Sequence, residues 1–292
     1  MERAPLTKEE WLALEKKAND LRHLCLQTTV WAGSGHIGGG MSVMDILTDM
    51  YHRYLNIKKE DPKWEDRDRF ILSKGHAGIA YAPVLCDFGY NDPEQLKTFN
   101  LTNSKMGIHL DSNKVAGVDA STGSLGHGIP IAAGTAIAAR VLGKDYYTYV
   151  VTGDGELDEG SNWEGLMTIR HYNLTNCITI VDRNHCMIDG NTEDVMKLEP
   201  LADKFVAFGF HTIVCEGNNI VSLCKAIDEA HKTKDQPTVI VADTIKGVGI
   251  KLTSGNYKWH YGAIDEEMAK VAAKDLDEYS AERIARCGKE FE

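Results

Sequence analysis

The sequence predicts an α/β fold, a mainly parallel sheet with helices on both faces. Three observations point there. Short β-branched and aromatic runs alternate with helical stretches between Arg69 and Ala242, the runs read as fully buried strands, and glycine-rich turns stand where the strands end. No repeat or linker interrupts the alternation, so residues 1–292 read as one domain. The balance of 43 acidic against 32 basic residues, a formal net charge of −11, argues against a nucleic-acid surface or an anionic membrane partner.

Taken in order, Leu12, Leu21, Leu24 and Val30 recur at near-helical spacing and predict an amphipathic helix from Lys8 to Ala32. Gly33-Ser34-Gly35-His36-Ile37-Gly38-Gly39-Gly40 reads as a loop, followed by a helix from Met41 to Leu55 with Ser42 as its cap. Arg69-Phe70-Ile71-Leu72 reads as a strand broken by Ser73-Lys74-Gly75-His76, and Ala77 to Phe88 as a helix. Leu101 to Asp119 shows neither period, and a loop of that length in a compact domain is usually functional or disordered. Ile129 to Leu142 is Ala-rich and helical, with Pro130 in its first turn. Tyr146 to Thr152 and Cys177 to Val181 are strands flanking a helix from Ser161 to Tyr172, and Phe210 to Val214 and Thr238 to Ala242 flank another from Ile220 to His231.

The chemistry gathers at strand ends. Asp154 and Asn184 each stand where a predicted strand runs out, and ligands of open parallel sheets collect beyond those ends. A carboxylate oxygen, an amide oxygen and a backbone carbonyl near Cys186 suit a hard cation, and magnesium accepts such a set when phosphate oxygens complete its octahedron. Calcium or manganese are alternatives. Gly153 and Gly155 let the backbone approach closely, and the amides of Gly155 and Glu156 are candidates to hold an anion. Gly-Asp-Gly alone is an ordinary strand-ending turn; its pairing with Val181-Asp182-Arg183-Asn184 is what favours a site. Ser121-Thr122-Gly123-Ser124-Leu125-Gly126-His127-Gly128 opens a helix and reads either as a phosphate cradle on unpaired amides or as a plain turn. Gly33 to Gly38 formally matches G-x-G-x-x-G but follows a helix, which excludes a dinucleotide fingerprint, and no P-loop is present. His36, His76, His109 and His260, four of eleven histidines, stand in predicted loops beside small residues and are expected to share one cleft. Glu159 is placed to act in catalysis or to cap helix amides.

Seven cysteines with no C-x-x-C pair read as reduced thiols. Met1 to Asn19 is charged, and no run approaches the roughly 20 apolar residues of a membrane span. These features predict a soluble cytoplasmic protein.

Four segments in order resemble transketolases: Ser34-Gly35-His36-Ile37-Gly38-Gly39, Arg67 to His76, Ser121 to Gly126, and Gly153-Asp154-Gly155-Glu156-Leu157-Asp158-Glu159-Gly160. The resemblance runs from about Asp20 to Glu267 and implies the thiamine diphosphate-binding fold of that family's first domain, its diphosphate-binding domain. It implies thiamine diphosphate and magnesium as cofactors and transfer of a two-carbon ketol unit from a ketose, phosphorylated in the family's manner, to an aldose. The pyrimidine-binding and C-terminal domains are not represented, which implies the N-terminal subunit of a split transketolase, a partner chain carrying them, and an α2β2 assembly. Position by position, the resemblance makes Asp154, Asn184 and the carbonyl of Cys186 magnesium ligands. It lays Gly153, Gly155, Glu156, Gly123, Ser124 and Leu125 along the cofactor, packs Ile188 on the thiazolium and sets Lys246 near the diphosphate. His36, His76, His109 and His260 surround the thiazolium and diphosphate or contact donor hydroxyls, and Glu159 and Glu164 link paired cofactor sites. The chain departs from the family pattern at Ile108, where Gly-His is usual, at Tyr261, which separates His260 from Gly262-Ala263, and at His127, where glutamine is frequent. These departures cluster on the substrate side and count against ordinary pentose-phosphate specificity. The α subunits of 2-oxo acid dehydrogenases also pair Gly-Asp-Gly with a later Asn, but the Ser-Gly-His and Ser-Lys-Gly-His segments favour transketolases. A non-catalytic regulatory subunit of the same fold is the alternative from another class.

Overall fold

The computed structural model of the chain describes residues 3–291. Its elements are α1 (Lys8–Ala32), α2 (Ile37–Asp49, prolonged by a π turn over Met50–Tyr54), β1 (Arg69–Leu72), α3 (Gly78–Phe88), α4 (Gly128–Val141), β2 (Thr148–Gly153), α5 (Gly160–His171) and β3 (Cys177–Arg183). There follow α6 (Thr192–Val195), α7 (Leu201–Ala207), β4 (His211–Glu216), α8 (Ile220–Lys232), β5 (Thr238–Asp243) and α9 (Glu266–Cys287). The strands form one fully parallel sheet in the order β1-β2-β3-β5-β4.

Strand side chains alternate between two cores, because successive Cβ atoms leave opposite faces of a pleated sheet. Phe70, Leu72, Tyr149, Val151, Ile178, Ile180 and Ile240 pack against α1, α2, α3, α8 and α9. Ile71, Val150, Cys177, Val181, Val239 and Val241 pack against α4, α5 and α7. With both faces covered, β2 and β3 are buried along their whole length, which is why they read as continuous apolar runs. The parallel sheet with helices on both faces is therefore as expected, and every strand points its carboxyl end at the same edge.

Two expectations need correction. The glycine triplet is not loop: α2 begins at Ile37, so Gly38, Gly39 and Gly40 form its first turn. A Cβ on Gly38 would lie 2.6 Å from the Trp259 carbonyl oxygen and 3.1 Å from Lys246 Cγ, so the missing side chains let the segments around 246 and 259 close onto the helix. Ser42 does not cap this helix, since it lies inside it and its hydroxyl donates to Asp182 Oδ2 at 2.7 Å. Helix α9 has no counterpart in the sequence reading because its inward face includes buried Asp275 and Arg283 among Ala272, Leu276 and Cys287, which breaks the apolar period. Among the described residues no helix is long and apolar enough to cross a membrane.

Candidate functional site

At the carboxyl edge of the sheet, a cleft of about 370 Å³ opens between the turns that follow β1, β2, β3 and β5. Asp154, Asn184, Cys186, Gly153, Gly155, Glu156, Glu159, Leu125, Ile188, Lys246, His76 and His260 all line it. Residues drawn from positions 76 to 260 thus meet because four parallel strands deliver their following turns to one edge.

Asp154 is buried at the end of β2. Its Oδ1 accepts from the Gly155 amide at 2.8 Å, and its Oδ2 accepts from the His185 amide at 2.6 Å and from Arg183 Nη1 at 3.0 Å. A carboxylate offers about four acceptor positions, so one remains for a cation. Asn184 Oδ1 accepts from the Cys186 amide at 3.2 Å, and the Cys186 carbonyl accepts from Lys246 Nζ at 3.3 Å, which leaves each oxygen a second lone pair. Burial, followed by the Asp182 carboxylate, pushes the Asp154 carboxyl above its ordinary range, while Arg183 opposes them. A divalent ion would relieve that cost. Among the described residues no group of three or more His, Cys, Asp or Glu could hold a metal, so an ion here needs amide, carbonyl and non-protein oxygens as well.

His36, His76 and His260 form a triangle, with ring centroids 5.2, 5.2 and 5.1 Å apart. His109 packs against the loop at Gly123, whose Cβ would fall 2.6 Å from the His109 ring, so glycine is required there for close contact and for its φ of +138°. Burial holds the His36 imidazole down to about 4, with His109, Lys246 and Lys74 adding positive charge. Burial and then Lys246 hold His260 down to about 3, and His76 is pushed well below the ordinary value by burial and Lys74. The triangle is therefore neutral near pH 7 and able both to give and to accept hydrogen bonds. Burial, then Lys74, brings Lys246 down to about 8, and its ammonium donates to His260 Nδ1 at 2.9 Å.

A pH dependence follows. Unfolded imidazoles titrate near 6.5, so between that value and about 4 the unfolded chain binds more protons than the folded one, and stability falls as pH drops through the window. Urea unfolding is expected to show a lower midpoint at about pH 5 than at about pH 7.5, with a smaller drop in His260→Asn. A drop of the same size in that variant would refute the neutral triangle.

Some expected contacts are taken up by the protein itself. The loop before α4 does not present all its amides to a ligand, because the Gly126 amide donates to Glu156 Oε1 at 2.9 Å and the Gly128 amide to Ser73 Oγ at 3.1 Å. The Gly155 amide is likewise bound to Asp154. Glu156 Oε2 accepts from the Gly153 amide at 3.1 Å, so its carboxylate ties together the ends of β1 and β2 and the start of α4. Ser124 is exposed and does not line the cleft. Ile188, 62% exposed, offers an apolar surface at the rim. Glu159 lines the cleft and precedes α5 without capping it through its side chain, and Glu164 is exposed on α5.

Sequence reasoning missed three groups. Lys74, fully buried, pairs with Asp182 and donates to the Gly39 carbonyl at 3.1 Å, while Asp182 also accepts from Thr244. Arg183 holds Asp154, Thr192, Glu193 and Glu199 together. The Glu156 carboxylate is the third. The available signal was a charged pair, Asp182-Arg183, at the end of an otherwise apolar strand, since charges are buried only when paired.

Residues 14–280 match the family described as transketolase, thiamine diphosphate binding domain. The 6-deoxy-6-sulfo-D-fructose transketolase subunit SqwG of a Clostridium species is 36% identical over 273 residues, covering 94% of this chain and 99% of that one. An apulose-4-phosphate transketolase subunit of Actinobacillus succinogenes is 39% identical over 265 residues, covering 90% and 95%. Among solved structures, the transketolase of Campylobacter jejuni superposes with a TM-score of 0.85 at 32% identity, covering 90% of this chain and 42% of that one. The Leishmania mexicana enzyme gives 0.82 at 32% identity, with 93% and 46% covered, so the chain spans less than half of either solved chain.

Proposed function

Because the chain belongs to the transketolase family, matched through its thiamine diphosphate-binding domain, we propose that it is the N-terminal subunit of a split transketolase. It transfers a two-carbon ketol unit from a ketose to an aldose, takes sugar phosphates, and acts only with a second chain carrying the pyrimidine-binding and C-terminal domains, in an α2β2 assembly in the cytoplasm. The relatives named as transketolase subunits, which this chain covers almost completely, support the split arrangement. The observation that carries the reading is the meeting of Asp154, Asn184, Lys246, His76 and His260 in one cleft.

Thiamine diphosphate, when bound, supplies the nucleophilic carbon chemistry of ketol transfer. Asp154, Asn184 Oδ1 and the Cys186 carbonyl would hold magnesium, each having an acceptor position left over. Lys246 and His76 line the same cleft and would offer a positive charge and a neutral donor to the cofactor's anionic tail, partial burial strengthening such contacts. Ile188 and Leu125 would present apolar surface to its reacting end. His36, His109 and His260 orient donor hydroxyls and move their protons, a contribution of typically about 10²–10⁴-fold. Glu159 stands at the cleft wall where a carboxylate can take part in proton traffic.

The test is co-expression with the reading frame adjacent to its gene, followed by ketol-transfer assays over a panel of ketose and aldose phosphates. Transfer dependent on both the cofactor and magnesium is expected. Oxidation of pyruvate with an artificial electron acceptor and no ketol transfer would replace the reading by a 2-oxo acid dehydrogenase α subunit. Cofactor binding without turnover of either kind would make it a regulatory subunit.

A further inference from the structure

Two segments are laced together beside the imidazole triangle. The Gly35 amide donates to the Gly262 carbonyl at 2.9 Å and the Gly262 amide to the Gly35 carbonyl at 3.0 Å, a single antiparallel bridge. Residues on either side of a bridged pair share one face of a pleat, which puts Ser34, His36 and Tyr261 together. The contacts follow that rule. Tyr261, in extended backbone, sets its ring edge-on to His36 with centroids 4.8 Å apart, and its hydroxyl shares a 2.6 Å hydrogen bond with Ser34 Oγ.

The imidazoles beneath are partly buried, and His260 Nδ1 already accepts from Lys246 at 2.9 Å. Tyr261, by contrast, is 43% exposed, and a bonded pair of hydroxyls keeps one O–H donor and several lone pairs free. That complement matches a sugar hydroxyl.

We propose that Tyr261, braced by Ser34 over His36, is a specificity-determining residue that selects the donor ketose, by hydrogen-bonding one of its hydroxyls and by walling off the space beside the imidazoles. The inference rests on the ketol-transfer reading and deepens it. Tyr261 is not among the residues that line the cleft with Asp154 and Asn184, so a loss of donor selection is distinguishable from a loss of cofactor binding.

The experiment uses the full chain complexed with its partner chain, comparing Tyr261→Phe, Tyr261→Ala and Ser34→Ala with the unmutated protein. Steady-state kinetics over the ketose panel are combined with calorimetric titration of thiamine diphosphate. Loss of one substrate hydrogen bond predicts a KM for the preferred donor raised about 10-fold in Tyr261→Phe, with kcat within about 2-fold. Tyr261→Ala is expected to raise that KM similarly and to compress the ranking of donors, and Ser34→Ala to have a smaller effect of the same sign. Cofactor affinity stays at the unmutated value in all three. Unchanged KM and donor ranking in both Tyr261 variants overturns the proposal, as does a parallel loss of kcat and cofactor affinity, which would mark a merely structural residue. Absence of any ketol transfer by the unmutated complex overturns the functional reading and this inference with it.

Discussion

Asp154→Ala is expected to weaken magnesium-dependent binding of thiamine diphosphate by about 100-fold or more, since changes to residues that only orient a metal's ligands already cost about 10–100-fold. The fold should survive. The substitution takes one carboxylate from the buried Arg183, but Glu199 at 2.9 Å, Glu193 at 3.0 Å and the Thr192 hydroxyl at 2.6 Å remain on that guanidinium. Calorimetric titration with and without magnesium, beside circular-dichroism melts, separates the two effects. Affinity equal to that of the unmutated chain would remove Asp154 from the metal site and with it the chief support for a cation-anchored diphosphate. Asn184→Leu should act in the same direction, because it deletes the amide oxygen and leaves the Asp154 cluster untouched.

What was legible in advance follows from range. The short continuous apolar runs of buried strands and the punctuation by glycine are local properties, so the parallel sheet and the turns at its edge could be read before any contact was known. Asp154 and Asn184 were readable as a pair because consecutive β-α units place their following turns side by side. The histidines needed more, since only the fold brings residues 36, 76 and 260 within about 5 Å of one another. What escaped were groups whose role is defined by a distant partner. Nothing adjacent to Lys74 announces Asp182, and nothing near Glu156 announces Ser73 and Gly126. The triple glycine misled for a related reason: glycine usually disfavours helix, but here the approach of Trp259 and Lys246 overrides that propensity.

The largest expected loss of stability lies away from the cleft, at Asp45 on α2. Its Oδ1 accepts from Arg22 Nη1 at 3.1 Å and Arg283 Nη1 at 2.7 Å, and its Oδ2 from Arg22 Nη2 at 2.5 Å and Asn218 Nδ2 at 3.0 Å. Glu15 completes the cluster by accepting from Arg283 Nε at 2.8 Å, so α1, α2 and α9 are joined through four charges that balance. All four are buried. Asp45→Ala strips Arg22 of its carboxylate partner and leaves it beside the Tyr279 ring, 5.5 Å from its centroid, and a buried charge without its partner costs about 3–5 kcal/mol. For a chain of this size that is a fall in melting temperature of about 10 °C. Burial alone would raise the Asp45 carboxyl, but the two guanidinium groups outweigh it and hold the group well below the usual carboxylate range. The sign is then fixed: its contribution is complete above the unfolded value near 3.8 and is lost as pH falls further. Chemical denaturation of Asp45→Ala and of the unmutated chain should therefore differ most near neutrality and converge in acid; a gap that stays constant below about pH 4 would refute the assignment. Because the same helix carries Gly38 against Trp259 and Ser42 against Asp182, loosening it at Asp45 should reach the cleft as well, and the variant's cofactor affinity should fall even at temperatures where it remains folded.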